Sequence, residues 1–115
     1  MEQYWSIGKI IISSTKYGSK FIDNLSRDIT LEFPNTKGFS IRNLKYMRKF
    51  AEVYADFQIV QQSVALLPWR NNITLITKIN DDAMRDWYIF HNFKEGWNNV
   101  MLLNHIELKL YERQA

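Results

Sequence analysis

Four cations lie close together in one segment of the chain: Arg42, Lys45, Arg48 and Lys49. If this segment is an α-helix, successive residues turn by about 100°, and the four cations fall with Glu52 in one arc of roughly 120°. The opposite side of that helix is apolar and is formed by Leu44, Met47, Phe50, Ala51 and Tyr54. Cations on one helix face can neutralise phosphates or reach base edges in a major groove. The spacing therefore indicates either a DNA-contacting helix or an ordinary solvated surface helix.

The other reactive side chains do not form a catalytic or metal-binding pattern. Glu107 and Lys109 have the spacing of part of a nuclease motif, but two residues apart on a helix their side chains point about 200° away from each other. His91 and His105 are the only histidines, and the chain has no cysteine to complete a zinc site. Glycine-rich phosphate loops and serine elbows are absent. We therefore expect a protein that is not an enzyme and that has no cofactor and no bound metal.

The composition is that of one folded domain. The chain has 115 residues, of which 46% are hydrophobic and 15% aromatic, which excludes a disordered tail and suffices for a single core. No apolar run approaches the roughly 18 residues of a membrane span, and the first residues lack the pattern of a signal peptide. We predict one domain over residues 1–115 in a cytoplasmic protein without membrane contact.

Positive charge is concentrated in one half of the sequence. Residues 1–50 contain nine Lys/Arg and four Asp/Glu, whereas the remainder contains six and eight. The first half thus carries a formal charge of +5 and the second −2, although the net charge is only +3. Such a basic half points modestly to an anionic partner, and clustering of solvated surface charges is the alternative.

The hydrophobic pattern is helical almost throughout, and the chain is poor in glycine and proline. It predicts an all-α, compact domain of five or six helices. Their ranges are about 2–15, 19–33, 41–54, 71–79, 82–96 and 98–112. Ser40 and Asp81 are suitable N-caps, and Gly96 is a suitable residue to end a helix.

For residues 57–64 the pattern predicts an extended connector or a short strand pair. Asp82 and Asp86 lie one helical turn apart, and we expect their negative charges to stabilise the start of a helix. Binding of a cation by the two carboxylates is the alternative.

The second and third predicted helices are joined by a brief turn between Pro34 and Gly38. Two amphipathic helices with such a connection are typical of a helix-turn-helix, here over about residues 19–54. The third helix would then be the recognition helix. Asn43 falls on its apolar side, so we expect Asn43 to form a cap or a buried hydrogen bond.

Protein interaction is the alternative function, and it would use apolar surfaces elsewhere. The first helix contains more apolar residues than one core-facing stripe needs, and Met101, His105 and Leu108 form a side stripe on the last helix. The candidate interface consists of Tyr4, Trp5, Ile11, Met101, His105 and Leu108. The partner would be a nuclease, another protein or a second copy of the chain in a homodimer. The four tryptophans are predicted to be core residues.

Short motifs along the whole chain resemble the N-terminal domain of YhcG-type bacterial proteins. Among them are Lys16-Tyr17-Gly18-Ser19-Lys20, Lys37-Gly38-Phe39-Ser40, Arg42-Asn43-Leu44, Leu67-Pro68-Trp69, Gly96-Trp97 and Leu110-Tyr111-Glu112-Arg113-Gln114. The resemblance implies a helix-turn-helix DNA-binding domain that precedes a PD-(D/E)xK nuclease domain. This chain ends where the nuclease domain would begin, so the resemblance implies no cleavage activity for it.

The chain departs from the family pattern after Pro68-Trp69, where Arg70-Asn71 stands in place of Gly-His. Arg70 adds a cation that could contact phosphate. The predicted partner is duplex DNA. The predicted nucleic-acid-binding residues are Lys37, Arg42, Lys45, Arg48, Lys49 and Arg70.

Overall fold

The computed structural model describes residues 2–14, 20–56 and 64–114. Within these ranges the fold is all-α: seven α-helices and one 3₁₀ turn are present, and no strand occurs. The chain forms two compact units, Met1–Ala55 and Asp56–Ala115. The predicted fold class is confirmed, and the prediction of one domain stays a prediction. No described helix combines the length and the apolar character that crossing a membrane requires.

The first unit contains α1 (Glu2–Ser13), α2 (Phe21–Glu32) and α3 (Ile41–Val53). Helix α1 packs closely on α3, because Gly8 has no side chain to keep the two backbones apart. A Cβ atom at Gly8 would meet the carbonyl of Met47 and would lie 2.8 Å from the Cβ of Ala51. The core of this unit consists of Ile11, Ile22, Leu44, Met47, Phe50, Ala51 and Tyr54.

The connection between α2 and α3 is held by side-chain hydrogen bonds. Ser40 caps α3, since its Oγ accepts from the amide of Asn43 at 3.1 Å. The Asn43 side chain donates to the carbonyl of Gly38 at 2.5 Å, and Gly38 has a φ of 97°, which favours glycine. The hydroxyl of Ser26 on α2 donates to the carbonyl of Phe39 at 2.8 Å. The predicted cap at Ser40 and the predicted hydrogen bond of Asn43 are confirmed.

The second unit begins, within the described residues, with a 3₁₀ turn at Val64–Leu66. It continues with α4 (Trp69–Lys78), α5 (Asp82–Glu95), α6 (Asn99–Glu107) and α7 (Leu110–Arg113). Asp81 caps α5 by accepting from the amide of Met84 at 2.7 Å, as predicted. Gly96 ends α5 in the left-handed conformation with a φ of 67°. Asn98 caps α6 by accepting from the amide of Met101 at 2.9 Å.

Two predicted helix boundaries in the second unit were wrong. The sequence predicted one last helix, but it is divided at Leu108 and Lys109, where Lys109 has a φ of 56°. The described residues therefore form seven α-helices and not five or six. Helix α4 begins at Trp69 and not at Asn71, because Pro68 has the backbone geometry of an N-cap and closes the first turn through its carbonyl. Residues 15–19 and 57–63, including the predicted Gly18-Ser19 break and most of the predicted strand pair, lie outside the described residues.

A buried polar network stabilises the second unit and was not predicted. The side-chain amide of Asn71 donates to Asn92 Oδ1 at 2.9 Å and to the carbonyl of Trp97 at 3.0 Å. Asn92 donates to the same carbonyl at 2.8 Å. Asn72 donates to the carbonyl of Val64 at 3.0 Å and so holds the 3₁₀ turn against α4. Buried amides that are paired in this way specify one arrangement of the backbone.

Candidate nucleic-acid interface

Helix α3 presents the predicted cations on its outer side. Arg42, Lys45 and Lys49 are exposed and Arg48 is half-buried. The apolar side is fully enclosed, since Leu44, Met47, Phe50 and Ala51 are each 0% exposed. The helical arrangement that the sequence predicted is confirmed. We refer to Arg42, Lys45, Arg48 and Lys49, together with Glu52, as the basic face of α3.

One of the four cations on the basic face is paired. Arg48 Nε donates to Glu52 Oε1 at 2.9 Å, and the two side chains are 41% and 48% exposed. The pair has the i,i+4 spacing at which helical side chains meet. Arg42, Lys45 and Lys49 have no ion pair among the residues that the structure describes. The basic face therefore carries three uncompensated positive charges beside one neutralised arginine.

Helix α1 supports the basic face from behind. The close contact at Gly8 lies against Met47 and Ala51, on the buried side of α3. The indole Nε1 of Trp5 donates to the carbonyl of Tyr54 at 2.6 Å, directly after the last residue of α3. The helix is thus held by its N-cap, along its length and at its C-cap. Cations on such a supported helix keep a constant spacing.

The two remaining predicted DNA contacts lie on different units. Lys37 is exposed in the connection that leads into α3. Arg70 is exposed in the first turn of α4, which belongs to the second unit. The carbonyl of Arg70 accepts from Asn99 Nδ2 at 3.3 Å, which links the starts of α4 and α6.

A protein-family model, the DUF1016 N-terminal domain, matches residues 1–113. The chain belongs to the DUF1016 N-terminal domain family. This membership supports the resemblance to the N-terminal domain of YhcG-type proteins. No curated protein and no solved structure matches the chain.

The predicted interface on α1, which consisted of Tyr4, Trp5 and Ile11, was wrong in part. Ile11 is 1% exposed and belongs to the core, because it lies one turn after Gly8 on the buried side of α1. Tyr4 and Trp5 are half-buried, and Trp5 uses its indole N–H within the unit. Ile10, which the prediction omitted, is 56% exposed on the outer side of α1. The sequence pattern did not indicate this, because the contact of Gly8 with α3 decides which side of α1 is buried.

The last-helix part of the predicted interface is largely at the surface. Met101 and Leu108 are exposed, whereas His105 is half-buried with its ring centroid 4.2 Å from that of Trp97. Val100, which was not predicted, is 66% exposed. Helical spacing puts Val100, Met101 and Leu108 on one side of α6 and its C-cap. Asn104 and Glu107 are exposed on the same side of α6, so its surface mixes apolar and polar side chains.

Asp82, one of the two possible cation ligands at the start of α5, is engaged in a structural contact. Asp82 pairs with the buried Arg85 at 2.7 Å, and Arg85 also donates to the carbonyl of Ile79 at 2.8 Å. The expectation that Glu107 and Lys109 share one continuous helix was wrong, since α6 ends between them. Among the described residues, no group of three or more His, Asp or Glu could hold a metal ion.

Proposed function

We propose that this DUF1016 N-terminal domain binds duplex DNA through the basic face of α3. The observation that carries the proposal is the set of three exposed, uncompensated cations, Arg42, Lys45 and Lys49, on a helix fully packed on its other side. Each cation that neutralises a phosphate releases condensed counterions, which is the main source of affinity for duplex DNA. A major groove about 12 Å wide admits one α-helix.

The segment that we propose as the reading unit is α2, the connection at residues 33–40 and α3. This connection is longer than the roughly three- to four-residue turn of a compact helix-turn-helix. The hydrogen bonds of Ser26, Ser40 and Asn43 tie it to both helices and compensate for its length. Lys37 lies within this connection and would contact phosphate beside α3. We further propose that the domain serves to hold DNA for a nuclease partner, and has no catalytic activity of its own.

The experiment that tests DNA binding removes two charges from the basic face. Fluorescence anisotropy with a random-sequence duplex of about 20 base pairs is measured over a series of salt concentrations. The Lys45→Ala/Lys49→Ala variant should bind more weakly, and its log–log salt slope should fall by nearly one unit for each lost phosphate contact. The matched control is Lys78→Ala/Lys94→Ala, which removes the same charge from the second unit and should leave the slope unchanged. Equal slopes for the two variants would contradict the proposal.

Self-association is the second candidate function, and three exposed apolar residues on one side of α6 favour it. Val100, Met101 and Leu108 are 66%, 43% and 56% exposed, which is unusual for neighbouring large apolar residues. We expect the average mass in sedimentation equilibrium to rise with concentration at tens of micromolar. Met101→Ser/Leu108→Ser should abolish this rise, whereas Ile10→Ser on α1 should not. A constant monomer mass of the parent protein would exclude this candidate.

A further inference from the structure

We propose that Arg48 reads guanine in duplex DNA and that Glu52 is the residue that positions it. This inference rests on the proposed DNA binding and goes further, because it assigns base recognition to one residue of the basic face. It separates the paired arginine from the three unpaired cations, which would contact phosphates.

The geometry of the pair leaves one edge of the guanidinium available. Arg48 uses Nε to donate to Glu52 Oε1 at 2.9 Å. Its Nη1 and Nη2 groups have no partner among the described residues. These two groups form a planar fork with parallel N–H bonds. The O6 and N7 atoms of guanine accept such a fork in the major groove, and this is the commonest specific contact between proteins and DNA.

The charge of the pair favours a base over a phosphate as the acceptor. The Glu52 carboxylate neutralises Arg48 and would repel a second anion placed against the same guanidinium. A guanine edge is uncharged and meets no such repulsion. Among the described residues no acidic side chain forms an ion pair with Arg42, Lys45 or Lys49, so phosphates have better sites on the same face. The basic face thus divides into phosphate contacts and one base contact, which are the two classes that sequence-specific binding needs.

The ion pair between Arg48 and Glu52 also reduces the loss of side-chain entropy that opposes binding. A free arginine side chain has four rotatable bonds, and ordering it on DNA opposes binding. Arg48 is half-buried and is held at Nε, so its outer edge is oriented before DNA arrives. Glu52 is one helical turn later on the same side of α3, where it reaches Arg48 without distorting the helix.

The test compares sequence preference with overall affinity in the full chain. A duplex pool randomised over a central segment is selected with the parent protein, and the most enriched duplex is remade with 7-deazaguanine, which lacks the N7 acceptor. The parent protein should enrich guanine at one position and should bind the 7-deaza duplex about tenfold more weakly, as expected for a good bidentate contact. Arg48→Lys keeps the charge but loses the fork, so it should bind both duplexes alike with an unchanged salt slope.

The Glu52→Gln variant tests the positioning role. It removes the negative charge, so we expect tighter binding to random duplex, a steeper salt slope and a smaller preference for guanine. Lys49→Ala is the control, which should weaken binding to every duplex while the guanine preference stays. If Arg48→Lys retains the preference of the parent, the base-reading role of Arg48 is overturned. If Glu52→Gln tightens binding without changing the guanine preference, the positioning role of Glu52 is overturned. In both cases the DNA-binding function stands. If the parent binds no duplex at all, both proposals fail.

Discussion

At the residue scale, buried polar side chains link the helices through hydrogen bonds and so help to fix their arrangement, as the buried apolar side chains do through packing. Tyr88 is 1% exposed, and its hydroxyl accepts from the amide of Tyr111 at 3.2 Å while it lies 3.4 Å from the carbonyl of His105. One phenol therefore links α5 to the end of α6 and to α7. Arg85 similarly links the start of α5 to the residues before it, since it donates to the Asp82 carboxylate and to the carbonyl of Ile79.

The first prediction concerns the stability of the protein at alkaline pH. Burial raises the pKa of Tyr88 above its ordinary value of 10.0, because the charged phenolate is poorly solvated there. The unfolded chain releases this proton near pH 10, whereas the folded chain keeps it to a higher pH. The contribution of Tyr88 is therefore present below about pH 10 and is lost as the pH rises through the raised pKa.

The Tyr88→Phe variant measures this contribution. At pH 7 it should lower the free energy of unfolding in urea by about 1 kcal/mol, since it removes a hydrogen-bond partner of the Tyr111 amide. Between pH 9.5 and 11 it should lose stability less steeply than the parent. Tyr46→Phe serves as the control, because Tyr46 is only half-buried. Parallel stability curves for the parent and Tyr88→Phe would contradict the prediction.

At the scale of elements, the contact between α1 and α3 decides the position of the basic face. The two helices approach closely at Gly8, where the neighbouring atoms are the Met47 backbone and Ala51 Cβ. A backbone carbonyl inside a helix cannot turn aside as a flexible side chain can. The fold therefore depends on the absence of a side chain at this position.

The second prediction is that Gly8→Ala destabilises the protein although alanine is the better helix former. Alanine favours the helix by about 1 kcal/mol, but overpacking against α3 should outweigh this and leave a net loss of roughly 1–3 kcal/mol. Urea unfolding followed by circular dichroism measures the effect. Ser6→Ala on the exposed side of α1 is the control and should change stability by less than about 0.5 kcal/mol. A stabilised Gly8→Ala variant would show that the helices lie further apart.

At the scale of the whole molecule, the chain combines two units that each have a buried core of their own. Units of fewer than about 60 residues are marginally stable when they fold alone. The sequence predicts one domain, and its size is that of a chain that unfolds in a single step. Nine of the fifteen Lys/Arg residues lie in the first unit, including the four cations of the basic face.

The third prediction is that the whole chain unfolds in one cooperative transition. Gly8→Ala lies in the first unit and Tyr88→Phe in the second, yet each should shift the entire transition seen by far-UV circular dichroism and by tryptophan fluorescence. Coincident curves for the two probes are the standard sign of a two-state transition. If the curves separate and each variant shifts only the phase of the unit that contains it, the units are independent domains.

The sequence by itself determined the features that depend on neighbours within one or two helical turns. The caps at Ser40 and Asp81, the end at Gly96 and the cations opposite Leu44 follow from local hydrogen bonding and from the 3.6-residue period. The tertiary structure decided which side of α1 is buried, so that Ile11 lies in the core and Ile10 at the surface. It also decided that α6 ends before Lys109, where Tyr88 binds the backbone on both sides of the break, and that Asn71, Asn92 and Trp97 meet in one network. These features depend on contacts between residues far apart in the chain, for which the local pattern of polar and apolar residues contains no information.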